Sequence, residues 1–158
     1  MKASQIQIRR VRKGDIDRIV DIERSWRHLS HWSIDSYYRL LNDDTFTSSF
    51  VAELEDALGR PYIVGFVIFH IAADVSEIYN IAVESGHARG GIGKQLMVAA
   101  IEESGRRKAH KVVLEVRKSN NPAINFYLGF DFRISGDRKQ YYSNPAEDAY
   151  VMELEISH

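Results

Sequence analysis

The stretch from residue 76 to residue 116 constrains this chain most, because a strand, a glycine-rich loop, a helix and a second strand follow one another there. Residues 76–84 read as a strand. Gly86, Gly90 and Gly91 break it and open a helix from about Gly91 to Arg107. Its apolar face carries Ile92, Leu96, Ala99 and Ala100, with Met97 beside them, at helical spacing. Lys111 to Val116 then returns as a strand. Strands and helices alternating in this way belong to a mixed α/β domain, in which helices cover a sheet.

The flanking segments extend the same pattern. Residues 5–11 alternate, with Ile6 and Ile8 on one face, as in a strand. Asp15 is placed to cap a helix carrying Ile16, Ile19, Val20 and Ile22, and Ser33 to cap a second one carrying Ile34, Tyr37, Tyr38 and Leu41. Residues 45–54 and 62–72 read as strands separated by a turn over 56–61, and Asp74 marks a hairpin into the strand at 76. Beyond residue 116 a short helix spans Pro122 to Tyr127. Two strands follow near 129–134 and 147–155, joined by a loop holding Tyr141, Tyr142 and Pro145. The expected order is β-α-α-β-β-β-α-β-α-β-β, in one domain over residues 1–158.

Composition narrows the functional classes. A length of 158 residues suits one domain with a sizeable core, and 44% hydrophobic with 27% charged residues is the balance of a globular protein. A net charge of -1 gives no electrostatic footprint for nucleic acid or an anionic membrane. Cysteine is absent, which excludes disulfides, thiolate metal sites and a cysteine nucleophile. The longest apolar stretch, Tyr62 to Ala73, is interrupted by Gly65 and His70 and falls short of the about 20 residues that span a bilayer. No signal peptide is visible, so a cytoplasmic location is expected.

The loop Ser85-Gly86-His87-Ala88-Arg89-Gly90-Gly91-Ile92-Gly93-Lys94 has the features of a phosphate site. Glycines allow close backbone approach, and the first amides of the following helix are unpaired at the positive end of its dipole. Arg89 and Lys94 add positive charge. The segment is neither a P-loop, since Gln95 follows Lys94, nor a dinucleotide fingerprint, since Leu96 stands where a third glycine belongs. On its own the loop is equally a flexible turn before an ordinary helix.

Four segments carry a resemblance that bears on this choice. Gly91 and Gly93 match the small positions of the Gln/Arg-x-x-Gly-x-Gly/Ala loop of the GNAT superfamily of acetyl-CoA-dependent N-acetyltransferases, with Ala88 in place of the first residue. Tyr79-Asn80-Ile81-Ala82-Val83 and Leu114-Glu115-Val116-Arg117-Lys118-Ser119-Asn120 through Tyr127 resemble the strand and the strand–helix segment of the RimI and archaeal Ard-type enzymes, which acetylate protein N-termini. The ending Tyr141-Tyr142 to Glu147-Asp148-Ala149 and Met152 resembles theirs too. The likeness is good over residues 76–153 and thin before them.

The resemblance implies a GNAT-like fold, a mixed, twisted sheet flanked by helices and splayed to admit acetyl-CoA. It implies that Ile81, Ala82, Val83, the loop Arg89, Gly90, Gly91, Ile92, Gly93, Lys94, and Asn120 contact the cofactor. Glu115 is then the general base and Tyr127 the general acid, although Tyr127 is separated from Gly129-Phe130 by Leu128 alone where three residues are usual. Tyr141 and Tyr142 would clamp the peptide backbone. Trp32, in a segment resembling Phe-Pro-Trp-Ser, walls the pocket for the first substrate residue or staples the helix entry.

Without the resemblance, Glu115 is a solvent-facing or paired strand residue, Tyr127 a core residue, and one of the tyrosine pair a packed side chain. His28 and His31 have no third ligand, so no metal is expected. Partners are a protein N-terminus, with a ribosome or an auxiliary subunit as further candidates. Two rival activities stay open: acetylation of small amines or lysine side chains, and a CoA-binding module without turnover.

Overall fold

The structure, a computed structural model, describes residues 5–26, 32–42, 45–88 and 90–157. Among them seven strands form one sheet: β1 (Gln7–Arg10), β2 (Thr47–Glu55), β3 (Pro61–Ala72), β4 (Val75–Val83), β5 (Lys111–Arg117), β6 (Arg133–Tyr142) and β7 (Glu147–Glu155). Their spatial order is β1-β2-β3-β4-β5-β7-β6. The helices are α1 (Ile16–Arg24), α2 (Ile34–Asn42), α3 (Ile92–Arg106) and α4 (Asn121–Leu128), in the expected chain order. Every neighbouring pair is antiparallel except β4 with β5, and α3 supplies the crossover that a parallel pair requires.

The sheet is covered on both faces. Val67, Phe69 and Ile71 of β3 pack with Leu96, Met97 and Ala100 of α3 and Ile124 of α4. Phe66 and Ile68 point the other way, onto Ile16, Ile19 and Ile22 of α1 and Tyr37 of α2. Burial on both faces explains why β3 is a nearly continuous apolar run instead of an alternating one. Gly65 lets α3 approach closely: a Cβ there would stand 3.0 Å from Leu96 Cδ1 and 3.1 Å from the Ala82 carbonyl oxygen. The N-terminal turns of α3 are thereby seated against β3 and β4.

Two irregularities in β4 shape the centre of the molecule. Ile68 pairs with Asn80 and Phe69 with Ile78, so Tyr79 is the extra residue of a β-bulge. The bulge sends the consecutive residues Tyr79 and Asn80 to the α1–α2 face and returns Ile81 and Val83 to the α3–α4 face beside Ile78. Beyond it the sheet divides. β4 pairs with β5 only at Val75, Ser76 and Glu77, against Lys111, Val112 and Val113. From there β4 continues with β3 to Val83, and β5 continues with β7 to Arg117.

Three expectations about the elements are corrected. The Asp15 side chain does not cap α1; it accepts bonds from the Arg9 guanidinium at 2.8 and 2.9 Å and from the Arg12 N–H at 2.6 Å. The penultimate strand runs over Arg133–Tyr142, not 129–134, and is exposed along almost its whole length as the sheet edge. Tyr141 and Tyr142 therefore end that strand instead of lying in the following loop. Ser33 does cap α2, its hydroxyl accepting the Ser36 N–H at 3.1 Å.

Candidate active site

The gap between β4 and β5 presents unpaired backbone. In an antiparallel ladder, alternate residues turn their N–H and C=O groups to opposite sides. The Glu84 N–H bonds the Val64 carbonyl of β3 at 2.7 Å, so Ala82 also faces β3 while Ile81 and Val83 face the gap. Of the three strand residues expected at the cofactor, two thus offer their backbone. The Val83 carbonyl already accepts the Trp26 indole N–H at 2.7 Å.

At the end of the gap lies the N-terminus of α3. Gly91 precedes the helix in the left-handed region, φ 82°, a conformation that glycine adopts without strain. Among the described residues no side chain caps this end, and the first helical bond runs from the Gln95 N–H to the Gly91 carbonyl. The amides of Ile92, Gly93 and Lys94 therefore have no partner within the helix. Gly90 and Lys94 are exposed, while the Ile92 side chain belongs to the core, so only its backbone is available. Arg89 lies outside the described residues. Asn120 caps α4, its side-chain oxygen accepting the Ala123 N–H at 3.3 Å.

Glu115 stands where the strands part. Leu114 and Val116 on either side face α3 and α4, so Glu115 faces the α1–α2 side. Its side chain is 9% exposed and lies 3.4 Å from the Arg138 guanidinium of β6. Burial raises its pKa above the ordinary carboxylate value and the nearby Glu77 raises it further, with Arg138 opposing both. Glu77 and Arg138 were not recognised in the sequence. Tyr79 is a third such residue; burial, Glu77 and Glu115 together hold its hydroxyl in the protonated form.

Tyr127 lies on the opposite face of the sheet, in the α3–α4 core, with its ring centroid 5.5 Å from Phe126 and 5.8 Å from Phe132. Burial alone pushes its hydroxyl up to about 12. The expected base and acid are thus not neighbours across a single cleft wall. They lie on opposite faces of the sheet.

The α1–α2 side also holds an open groove of about 610 Å³, lined by Trp32, Ser33, Ser36, Arg39, His70 and Tyr79 among others. The Trp32 ring centroid is 5.4 Å from Tyr37 and 5.7 Å from Tyr79, so Trp32 forms a groove wall that reaches the bulge. The tyrosine pair divides its roles. Tyr141 is 46% exposed and packs near Arg138. Tyr142 lies over the buried Arg117 guanidinium, 4.3 Å from its ring centroid, and Arg117 also donates to the Pro145 carbonyl at 2.9 Å. His28 and His31 lie outside the described residues, and among the described residues no three potential ligands are grouped for a metal. Among those residues no helix is long and apolar enough to cross a membrane.

Comparison with known proteins finds relatives over nearly the whole chain. Residues 16–130 match the acetyltransferase (GNAT) family. A putative ribosomal protein bS18-alanine N-acetyltransferase of Bacillus subtilis is 32% identical over 150 residues, covering 95% of each chain. An N-alpha-acetyltransferase of Sulfurisphaera tokodaii is 30% identical, covering 96% of this chain and 93% of its own. The crystal structure of the ribosomal-protein-S18-alanine N-acetyltransferase from Escherichia coli superposes with a TM-score of 0.81 at 29% identity, over 98% of this chain and 96% of that one.

Proposed function

Since the chain belongs to the acetyltransferase (GNAT) family and is an acetyl-CoA-dependent N-acetyltransferase, we propose that its acceptor is the α-amine of a protein or peptide N-terminus. The observation that carries this reading is the pairing of the parted strands with an acceptor groove on the Glu115 side. The relatives' names, a ribosomal protein bS18-alanine N-acetyltransferase and an N-alpha-acetyltransferase, point to the same acceptor.

Acetyl-CoA supplies an activated acetyl thioester. The backbone of Ile81 and Val83 lines its path, and the free amides of Ile92, Gly93 and Lys94, with Gly90, Gly91 and Arg89, hold its pyrophosphate at the positive end of α3. The side-chain oxygen of Asn120 is used in capping α4, which leaves its amide N–H groups for the cofactor. In the acceptor groove an α-ammonium, with an ordinary pKa of about 7.7–8.0, gives its proton to Glu115. The nitrogen forms the new C–N bond as the C–S bond breaks, and the second proton that it then carries in excess passes to solvent. Trp32, Tyr141 and Tyr142 flank the peptide, and the phenolic hydroxyl of Tyr141 is free to bond its main chain. With no cysteine in the chain, the transfer is direct.

Tyr127 assists at the far side as a hydrogen-bond donor to the departing sulfur. Full transfer from a hydroxyl at about 12 to a thiolate of ordinary pKa, about 8.5, would be uphill by about 5 kcal/mol. The final proton on CoA therefore comes from solvent. A ribosome or an auxiliary subunit is the candidate partner, and the cytoplasm the candidate compartment.

The test is incubation with acetyl-CoA and short peptides differing in their first residue, beside an N-terminally blocked lysine peptide and a polyamine, with thiol release followed and products weighed. Modification of the α-amine alone is the expected result. Modification of lysine or polyamine instead would move the acceptor assignment, and binding without any transfer would make the chain a CoA-binding module.

A further inference from the structure

Glu23 is a fully buried carboxylate that neither the cofactor path nor the proton transfer uses. It sits in the last turn of α1 with no solvent exposure, within the apolar cluster formed by Ile19, Ile22 and Tyr37. Three features make this a poor place for a carboxylate on stability grounds alone. A buried charge is costly unless fully bonded. The C-terminal turn is the negative end of the helix dipole. An apolar side chain of similar volume would fill the space without either cost.

What the position provides is a joint between three elements. One Glu23 oxygen accepts the Trp32 backbone N–H at 2.8 Å. The other accepts the Asn80 side-chain amide at 3.3 Å, and the same amide donates its second hydrogen to the Tyr37 hydroxyl at 3.2 Å. Asn80 is buried on the bulge of β4, directly after Tyr79. The carboxylate thus connects the end of α1 to the segment that starts α2 and to the irregular residues of β4. Trp32 and Tyr79, the two rings that meet in the groove wall, are each one step away along the chain or on the bonded residue itself.

From this geometry we infer that Glu23 is a positioning residue for the acceptor: it sets Trp32 against Tyr79 so that the groove is formed before the peptide arrives. The inference rests on reading that groove as the acceptor site. The described bonds of Glu23 run to Trp32 and Asn80 on the acceptor side, so its loss should weaken acceptor binding and leave acetyl-CoA binding as it is.

The experiment compares Glu23→Gln and the milder Asn80→Ser with the parent enzyme. Glutamine keeps the shape but turns an amide N–H toward the Trp32 N–H or the Asn80 amide, so the joint breaks on that side. Three quantities are read: peptide KM and kcat, acetyl-CoA affinity by calorimetry, and acrylamide quenching of tryptophan fluorescence. The expected result for Glu23→Gln is a peptide KM raised about tenfold or more, kcat at saturating peptide within threefold, acetyl-CoA affinity within twofold, and greater quenching of Trp32. Asn80→Ser should shift KM and quenching the same way by less, and it provides the test should Glu23→Gln not fold.

In a Trp32→Ala background Glu23→Gln should leave KM where Trp32→Ala alone puts it. A parent-like KM and quenching, or acetyl-CoA affinity falling in step with KM, overturns the inference. If the parent acetylates no peptide, the acceptor reading fails, while the quenching still reports whether Glu23 holds Trp32.

Discussion

Replacing Glu115 by glutamine should remove the base while raising the stability of the protein, and the two effects should have different pH dependences. A positioned general base contributes about a hundredfold or more, so kcat of Glu115→Gln at pH 7 should fall at least that far. The variant then needs an amine that has already lost its proton. With an amine pKa of about 7.8, roughly one-seventh is neutral at pH 7 and nearly all at pH 9, so the variant's kcat should rise about sevenfold over that interval while the parent's stays level.

Stability moves the other way. Glu115 has a folded-state pKa above the ordinary 4.5, raised by burial and by Glu77. At pH 7 the folded protein therefore carries a charge that the unfolded chain solvates better. Removing that charge stabilises by about 1.4 kcal/mol for each pH unit by which the folded-state pKa exceeds the ordinary one. The gain is complete above the folded-state pKa, shrinks as pH falls through it, and is gone below the ordinary value. For a domain of this size each kcal/mol raises Tm by about 2–4 °C. Stopped-time assays at saturating peptide and thermal melts at pH 4 and 7 measure both effects. A variant that keeps more than a tenth of the parent's kcat, or shows a level kcat from pH 7 to 9, or melts below the parent at pH 7, refutes the assignment.

Other substitutions probe the remaining parts of the site. Arg117→Met removes the buried cation from Tyr142, the Pro145 carbonyl and Glu147; urea unfolding should show a loss of about 1–3 kcal/mol, the cost of polar groups left unpaired. Gly65→Ala places a methyl group 3.0 Å from Leu96 Cδ1 and should cost about 1–3 kcal/mol in the same measurement, with weaker acetyl-CoA binding as α3 shifts. Because the Tyr127 hydroxyl titrates only near 12, the parent's kcat should show no alkaline fall up to pH 10 in a pH–rate series. Tyr127→Phe should lower kcat about tenfold, the size of one lost charge-assisted hydrogen bond, with peptide KM unchanged.

The order of elements was legible because it rests on local pattern, whereas Glu115 was singled out by the family resemblance and not by any pattern in its own strand. Helical spacing exposed α1 to α4, and a doubly buried β3 showed itself as an apolar run. The parts that escaped are those where local pattern has nothing to report. β6 is an edge strand held by backbone bonds to β7 and exposed on both faces, so Arg133–Tyr142 carries no apolar alternation, and Arg138 went unnoticed with it. Asp15 had the residue type of a cap, but Arg9 and the Arg12 N–H claim its oxygens first.

Glu77 meets Glu115 only because β4 and β5 lie parallel, a pairing made through the α3 crossover and ending within three residues. The bulge did leave a trace. Ile78, Ile81 and Val83 cannot share one face of a regular strand, since the step from 78 to 81 is odd, yet all three pack into the α3–α4 core. One extra residue restores the parity, and the polar pair Tyr79 and Asn80 shows where it must be. That single insertion turns Tyr79 to the groove and Asn80 to Glu23. It lies just beyond Glu77, where β4 leaves β5, so the irregularity that builds the acceptor wall adjoins the opening for the cofactor.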